Sequence, residues 1–475
     1  MADNNQYSNP LLTRYATKEM SYILSEQKRI GYFRRLWLAL AEGEKEQGLN
    51  IPQAAIEELK AHLDDIDFED AKAREKITRH DVMAHVGTLG ELCPNAKPII
   101  HLGATSCYVT DNADIIIYRE ALDLVISKLV GVMENLKNFA VTYKNLPQMG
   151  FTHYQPAQPV TVGKRACLWL QELVLDYQNL VFVRDNLMMR GVKGTTGTQA
   201  SFMTLFEGDG KKIAALEKFI VNKFGFKKAF PVTGQTYTRK TDYSIVAALS
   251  GLAQSAYKFS IDMRLLQNMK EVEEPFEKGQ VGSSAMAYKR NPMRSERVSS
   301  LARYLMSLPI NEAMTSATQG FERTLDDSAN RRITMGGAFL TADAILELLL
   351  NISDGLVVYP KMIAKHLNDE LPFMATEIFI MECVKAGGDR QDLHEAIRTH
   401  SMNAEKSFRN GGEKDLIKRL KTDPLFAAIT DYKSILNAKN FIGRAPEQVA
   451  EFIKNEVNPI LKKHSGEKHI GKIEV

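Results

Sequence analysis

Between Glu120 and Leu146 the apolar residues return at three-and-four spacing: Leu122, Val125, Ile126, Leu129, Val132 and Met133 fall on one face, with no proline before the segment ends. That period predicts a long α-helix carrying a single apolar stripe. The same pattern recurs from Gly163 to Arg190 (Leu170, Leu173, Val174, Tyr177, Leu180, Val181) and from Asp242 to Lys270 (Ile245, Val246, Leu249, Leu252, Ala256, Phe259). A fourth stretch runs from about Ile333 to Ile352, and a shorter helix is predicted over Glu296 to Leu308. The longer stretches exceed the ordinary globular helix of about 11–12 residues. With no alternation of strand and helix patterns, the predicted fold class is all-α, built on a central bundle of long helices. Stripes this long and unbroken also suit burial of a second face against partner subunits, which predicts a homo-oligomer.

The flanks read differently. The first hundred residues pattern as shorter helices with a break near Cys93-Pro94, and the end, from about Pro360, carries Gly387-Gly388, Gly411-Gly412 and a proline-started helix at Pro446. A three-domain division follows: residues 1–106, a central bundle over 107–358, and residues 359–475.

Composition narrows the class. Of 475 residues 44% are hydrophobic, enough for a sizeable core, and 61 Lys+Arg against 58 Asp+Glu give a formal charge of +3. So small an excess does not suit a general nucleic-acid binder, and anion binding has to be local. The four cysteines are scattered without a C-x-x-C pair, which points to neither a zinc knuckle nor a disulfide framework. A polar start and the lack of any apolar run near about 18 residues predict no membrane partner and a cytoplasmic location.

Chemistry concentrates where the long helices are joined. Gly282-Ser283-Ser284-Ala285-Met286-Ala287-Tyr288-Lys289-Arg290-Asn291-Pro292 packs two hydroxyls, two cations and an amide into eleven residues, a composition equally suited to a surface linker or to a loop that binds carboxylate and carries a base. Thr152-His153-Tyr154-Gln155-Pro156-Ala157-Gln158-Pro159 holds a histidine in a proline-punctuated turn, where it is either bonded to backbone or able to protonate a leaving group near neutral pH. Thr78-Arg79-His80-Asp81 sets a cation, an imidazole and a carboxylate in a row. His80 and His85 stand about 140° apart around a helix, so no zinc pair and no other metal site is predicted. Thr105 and Ser106, after Gly103, could cap a helix or bond a carboxylate. Phe321 to Arg332 supplies Arg323, Arg331, Arg332 and Ser328, forks that match phosphate oxygens unless Asp326 and Asp327 neutralise them. The glycine-rich Gly191 to Gln199 lacks a Gly-Lys-Ser/Thr ending, so it predicts no ATP site.

The Gly282 to Pro292 stretch closely resembles the signature loop of the fumarase/aspartase superfamily, whose members release fumarate from a succinyl unit. Ala287 stands where most members have proline. The resemblance implies that Ser283, with Ser284 as the alternative, is the base, and that Lys289 and Asn291 hold substrate carboxylate. The Thr-His-x-Gln-Pro-Ala-Gln motif and the arginine-serine run resemble the adenylosuccinate lyase branch, which implies His153 as general acid. By the same likeness Arg14, Tyr15, Arg79, His80, Asp81, Thr105, Ser106, Gln235, Arg297, Arg323, Ser328 and Arg332 contact substrate, with His101 in support. Further implications are succinylated purine nucleotides as substrates, no cofactor, and a homotetramer with active sites shared between three subunits. Argininosuccinate lyase, fumarase and aspartase share the Gly-Ser-Ser loop and compete as readings, as does a catalytically silent structural protein on this fold. The arginine-serine run argues against the former, the joint presence of Ser283, His153 and Lys289 against the latter.

Overall fold

The computed structural model describes residues 5–466 and Gly471; Met1 to Asn4, the first part of the polar start, lies outside the described residues, as do 467–470 and 472–475. Five long helices form the centre of the molecule: Ser106–Thr142, Val162–Asp185, Lys240–Asn268, Met293–Ala317 and Asp326–Asp354. Lys240–Asn268 packs along Met293–Ala317, and Ser106–Thr142 lies against both Val162–Asp185 and Asp326–Asp354. Each was visible as a stripe, but three are longer than their stripes, Asp326–Asp354 among them. Ser106–Thr142 begins fourteen residues before Glu120 because its first turns carry Asp111, Asn112 and Asp114, polar groups that interrupt the apolar pattern yet lie on the inner side of the bundle. Met293–Ala317 runs through Pro309. Proline removes one backbone donor and usually ends a helix, but here extensive packing on neighbouring helices carries the chain past it.

One apolar core runs through the bundle and extends beyond it. It takes in Phe33, Trp37 and Leu40 of the Glu26–Glu46 helix and Val449, Ile453 and Val457 near the other end of the chain, which fold back onto Val162–Asp185. Phe379, Leu393, Ile397, Leu416, Leu420 and Phe426 form a smaller, separate core. Asp326–Asp354 is long and apolar enough to cross a membrane by composition, but its most apolar window is 89% buried, as the central helix of a bundle requires. The strands are two-residue pairs, all antiparallel. One of them, Phe151–Thr152 against Gln155–Pro156, forms a hairpin at the site described next.

Candidate active site

Arg79, His80 and Asp81 sit where one helix ends and the next begins. Arg79 is the left-handed cap of Phe68–Thr78, with φ of 55°, and His80 is the N-cap of Asp81–Leu92. His80 Nδ1 accepts from the Met83 amide at 3.4 Å, which turns Nε2 toward Ser106 Oγ, 3.3 Å away. Thr105 occupies the N-cap position of Ser106–Thr142 without making a side-chain cap bond, so its hydroxyl is not spent on the helix. The free amides of that helix end add a partial positive charge beside it.

These residues border one cleft of about 810 Å³, which Gln235, Arg323, Ser328 and Arg332 also line. Arg323 Nη1 donates to Gln235 Oε1 at 3.1 Å, and Arg332 Nη2 stands 3.4 Å from Asp81 Oδ2 across the cleft. Ser328 and Arg332 lie in the first two turns of Asp326–Asp354, whose start at Asp326 was not legible from the stripe beginning at Ile333. Arg331 points the other way. It is buried, donating to Asp242 Oδ2 at 2.6 Å and to the Tyr237 hydroxyl at 2.6 Å. Of the three guanidinium groups in the run, Asp326 neutralises none in the way the sequence suggested, while Asp327 stands 4.0 Å from Arg323.

Several lining residues carried no sequence signal. Arg29 comes from the first turn of Glu26–Glu46; burial works against its charge, but Asp114 and Glu26 hold the guanidinium firmly protonated. Arg239 and Asp111 form a buried two-pronged pair at 3.2 and 3.3 Å beneath the cleft floor. Asp111 also accepts from the Tyr237 amide at 2.8 Å, which anchors the turn that presents Gln235. Such residues look ordinary in the chain because their partners lie far away in it, Asp111 being 126 positions from Tyr237 and 128 from Arg239. Supporting groups show the expected electrostatics. Burial, with His80 nearby, pushes His101 down to about 4, so its ring is neutral and its Nδ1 accepts from Trp37 Nε1 at 2.9 Å. Burial pushes the Cys107 thiol, against Arg323 in the cleft wall, up to about 11.

The remaining motif residues stand elsewhere on the same chain. His153 and Tyr154 are the two turn residues of the Phe151–Thr152/Gln155–Pro156 hairpin, with φ of 53° and 57°. Two successive positive φ values are what a tight hairpin turn demands, and they are costly for residues other than glycine, asparagine or aspartate. The cost fixes an exposed imidazole at the tip of a short ribbon. In the signature loop Ser283 Oγ accepts from the amides of Ala285 at 3.3 Å and Met286 at 3.1 Å. Asn291 Nδ2 donates to the Gly282 carbonyl at 2.8 Å and closes the loop at its base. Gly282 is required there, since a Cβ would lie 2.1 Å from the Lys289 carbonyl oxygen. Lys289, Asn291, Tyr154 and Glu296 share a second cleft of about 520 Å³. Arg14 and Tyr15 form a third group in the Leu11–Tyr15 turn, with the Arg297 guanidinium 5.6 Å from the Tyr15 ring centre. Neither His153 nor Ser283 lines the larger cleft. No cluster of three metal-binding side chains occurs among the described residues.

Comparison with known proteins bears on these groupings. Residues 15–306 match the family described as lyase, and residues 372–452 match the adenylosuccinate lyase C-terminus. Adenylosuccinate lyase of Saccharomyces cerevisiae is 54% identical over 467 residues, covering 97% of each chain, and that of Schistosoma mansoni is 46% identical with the same coverage. Among solved structures, 3-carboxy-cis,cis-muconate lactonizing enzyme from Pseudomonas putida superposes with a TM-score of 0.81 at 22% identity, over 95% of this chain and all of that one. Fumarate lyase from Mesorhizobium sp. BNC1 gives 0.78 at 20% identity, over 96% and 99%. At those identities the likeness speaks for the fold alone.

Proposed function

Because the chain belongs to the adenylosuccinate lyase family, we infer that it is a carbon–nitrogen lyase of purine biosynthesis. It eliminates fumarate from adenylosuccinate, leaving AMP, and from succinylaminoimidazole carboxamide ribotide, leaving aminoimidazole carboxamide ribotide. The observation that carries this reading is the larger cleft itself. Neutral donors at Thr105, Ser106 and Gln235 suit the succinyl carboxylates, while the arginines at 323 and 332 suit a phosphorylated nucleotide. Free amino-acid substrates would leave those arginines without a purpose.

The mechanism assigned to the motif residues is an elimination in two steps. Ser283, as alkoxide, takes a proton from the succinyl carbon next to the one that carries the nitrogen, and the electron pair left behind spreads into the carboxylate on that deprotonated carbon. The pair then forms the new C=C bond as the C–N bond breaks, and His153 protonates the nitrogen that leaves. A serine hydroxyl is a weak acid, and the two amides aimed at Ser283 Oγ favour its charged form; this supports Ser283 over Ser284. Lys289 adds positive charge to the same loop.

One subunit presents these groups in three places, which supports a homotetramer whose sites are completed by neighbouring chains. We propose the domain division 1–106, 107–358 and 359–475; the separate core at Phe379 to Phe426 supports the last, while Val449 to Val457 pack on the central bundle. A cytoplasmic location fits the four cysteines, all unpaired. Adding adenylosuccinate to the purified protein and following ultraviolet absorbance tests the function: the spectrum shifts from adenylosuccinate to AMP. A flat trace, with turnover of argininosuccinate, would overturn it.

A further inference from the structure

The glycine-rich stretch from Gly191 to Gln199 has no part in the reading above, yet its threonines Thr195 and Thr196 line the larger cleft. The loop is built to hold one shape. Gly191, Gly194 and Gly197 all have positive φ, and at Gly197 a Cβ would lie 1.8 Å from the Thr233 carbonyl oxygen. The loop therefore lies directly on the turn that presents Gln235. Arg190, fully buried, joins the two: Nη2 donates to the Gly194 carbonyl at 2.5 Å and Nε to the Gln235 carbonyl at 2.8 Å. On the other side Ser201 Oγ donates to the Gly103 carbonyl at 2.6 Å, two residues before Thr105. Two other polar side chains of the loop are turned inward, Gln199 to the Val192 carbonyl at 2.7 Å and Lys193 to Glu217 at 2.7 Å, while Thr198 is exposed but does not line the cleft. Thr195 and Thr196 are exposed to the cleft instead.

We propose that Thr195 and Thr196 are substrate-binding residues that donate hydroxyl hydrogen bonds to a succinyl carboxylate, and that Arg190 is the positioning residue that keeps them in register with Gln235. This rests on the lyase reading of the same cleft. The choice of carboxylate over phosphate follows from neighbours. The loop is tied to the turns that carry Gly103 to Ser106 and Gln235, whose side chains are neutral, whereas Arg332 reaches the cleft from the Asp326–Asp354 helix; Arg323 lies between the two, bonded to Gln235 Oε1. Neutral hydroxyls hold a carboxylate less tightly than guanidinium does, which suits a product that has to leave.

The test uses the full-length enzyme in the reverse direction, where fumarate and AMP have separate KM values. Thr195→Val and Thr196→Val keep shape and remove the hydroxyl. Each is expected to raise the KM for fumarate about tenfold, the loss typical of one hydrogen bond to a charged group, while the KM for AMP stays within about twofold. Thr→Ser at either position restores the wild-type value. Arg190→Lys should raise the fumarate KM with little change in kcat, and combining it with Thr196→Val should add less than the product of the two. If Arg190→Lys does not fold, the threonine variants decide alone. An unchanged fumarate KM in both valine variants, or a rise confined to AMP, overturns the inference while leaving the lyase reading intact. A wild-type enzyme that turns over no adenylosuccinate removes both.

Discussion

Arg239 Nε donates to Asp327 Oδ2 at 2.7 Å, and this leaves Asp327 Oδ1 buried without a hydrogen bond, 4.0 Å from the Arg323 guanidinium. The same Arg239 grips Asp111, so one buried cation joins the long helices that begin at Ser106 and Asp326. Removing one member of such a group strands the opposite charge in the interior. Arg239→Met is expected to cost about 3–5 kcal/mol of stability, read as a lower denaturant midpoint. A midpoint equal to wild type would show that the pair holds nothing together.

The proposed acid and base, His153 and Ser283, make a prediction about assembly. Ser283→Ala and His153→Ala should each lower kcat by about 10²–10⁴, the range for a lost proton-transfer group. If complete sites need both residues from different subunits, mixed tetramers from equal parts of the two inactive variants should regain roughly a quarter of wild-type activity, since each position is correctly filled half the time. Mixtures that stay as inactive as their parents would place both groups in one subunit's site.

Glu44 predicts a slope of stability with pH. It is fully buried, neither carboxyl oxygen has a hydrogen bond, and burial pushes it up to about 9. The folded state therefore keeps a proton that the unfolded chain releases above its ordinary value of 4.5. Stability is fully present below that value and is lost as pH rises toward 9. Glu44→Gln lacks the ionisation, and its advantage over wild type should grow to about 3 kcal/mol by pH 7, measured by urea unfolding across pH. Parallel curves for the two proteins would contradict it.

His101 predicts the opposite slope. Its folded value of about 4 lies below the ordinary 6.5, so the unfolded chain takes up the proton first as the solution is acidified. The stabilisation is present above pH 6.5 and is lost as pH falls toward 4, about 3 kcal/mol in all. A His101→Gln variant, which keeps an acceptor for Trp37, should show a shallower acid limb than wild type in the same unfolding series.

Much of the fold was legible because helices announce themselves through spacing. The stripes Leu122 to Met133 and Ile245 to Phe259 mark helices that the structure contains. What escaped was the polar start of Ser106–Thr142, where Asp111 is buried and Asp114 half-buried by pairing with Arg239 and Arg331 rather than by being apolar. For the candidate site, local motifs drew attention to His153, Ser283 and the arginine-serine run. Arg29, Arg190 and Arg239 stayed hidden, since nothing in their own neighbourhood distinguishes them from surface cations, and the glycine-rich run around Thr195 and Thr196 was read only as lacking an ATP motif.

By itself the sequence determined an all-α bundle and a fumarate-releasing chemistry, because apolar period and reactive motifs are properties of consecutive residues. Only the tertiary structure decided which of those motifs meet. It joined Arg79–Asp81, Thr105–Ser106, Gln235 and Arg323–Arg332 in one cleft and set the His153 hairpin and the Ser283 loop apart from it. The physical reason is that long rigid helices carry their terminal loops some tens of ångströms along the bundle, at about 1.5 Å per residue, so proximity in sequence says little about which loops share an end.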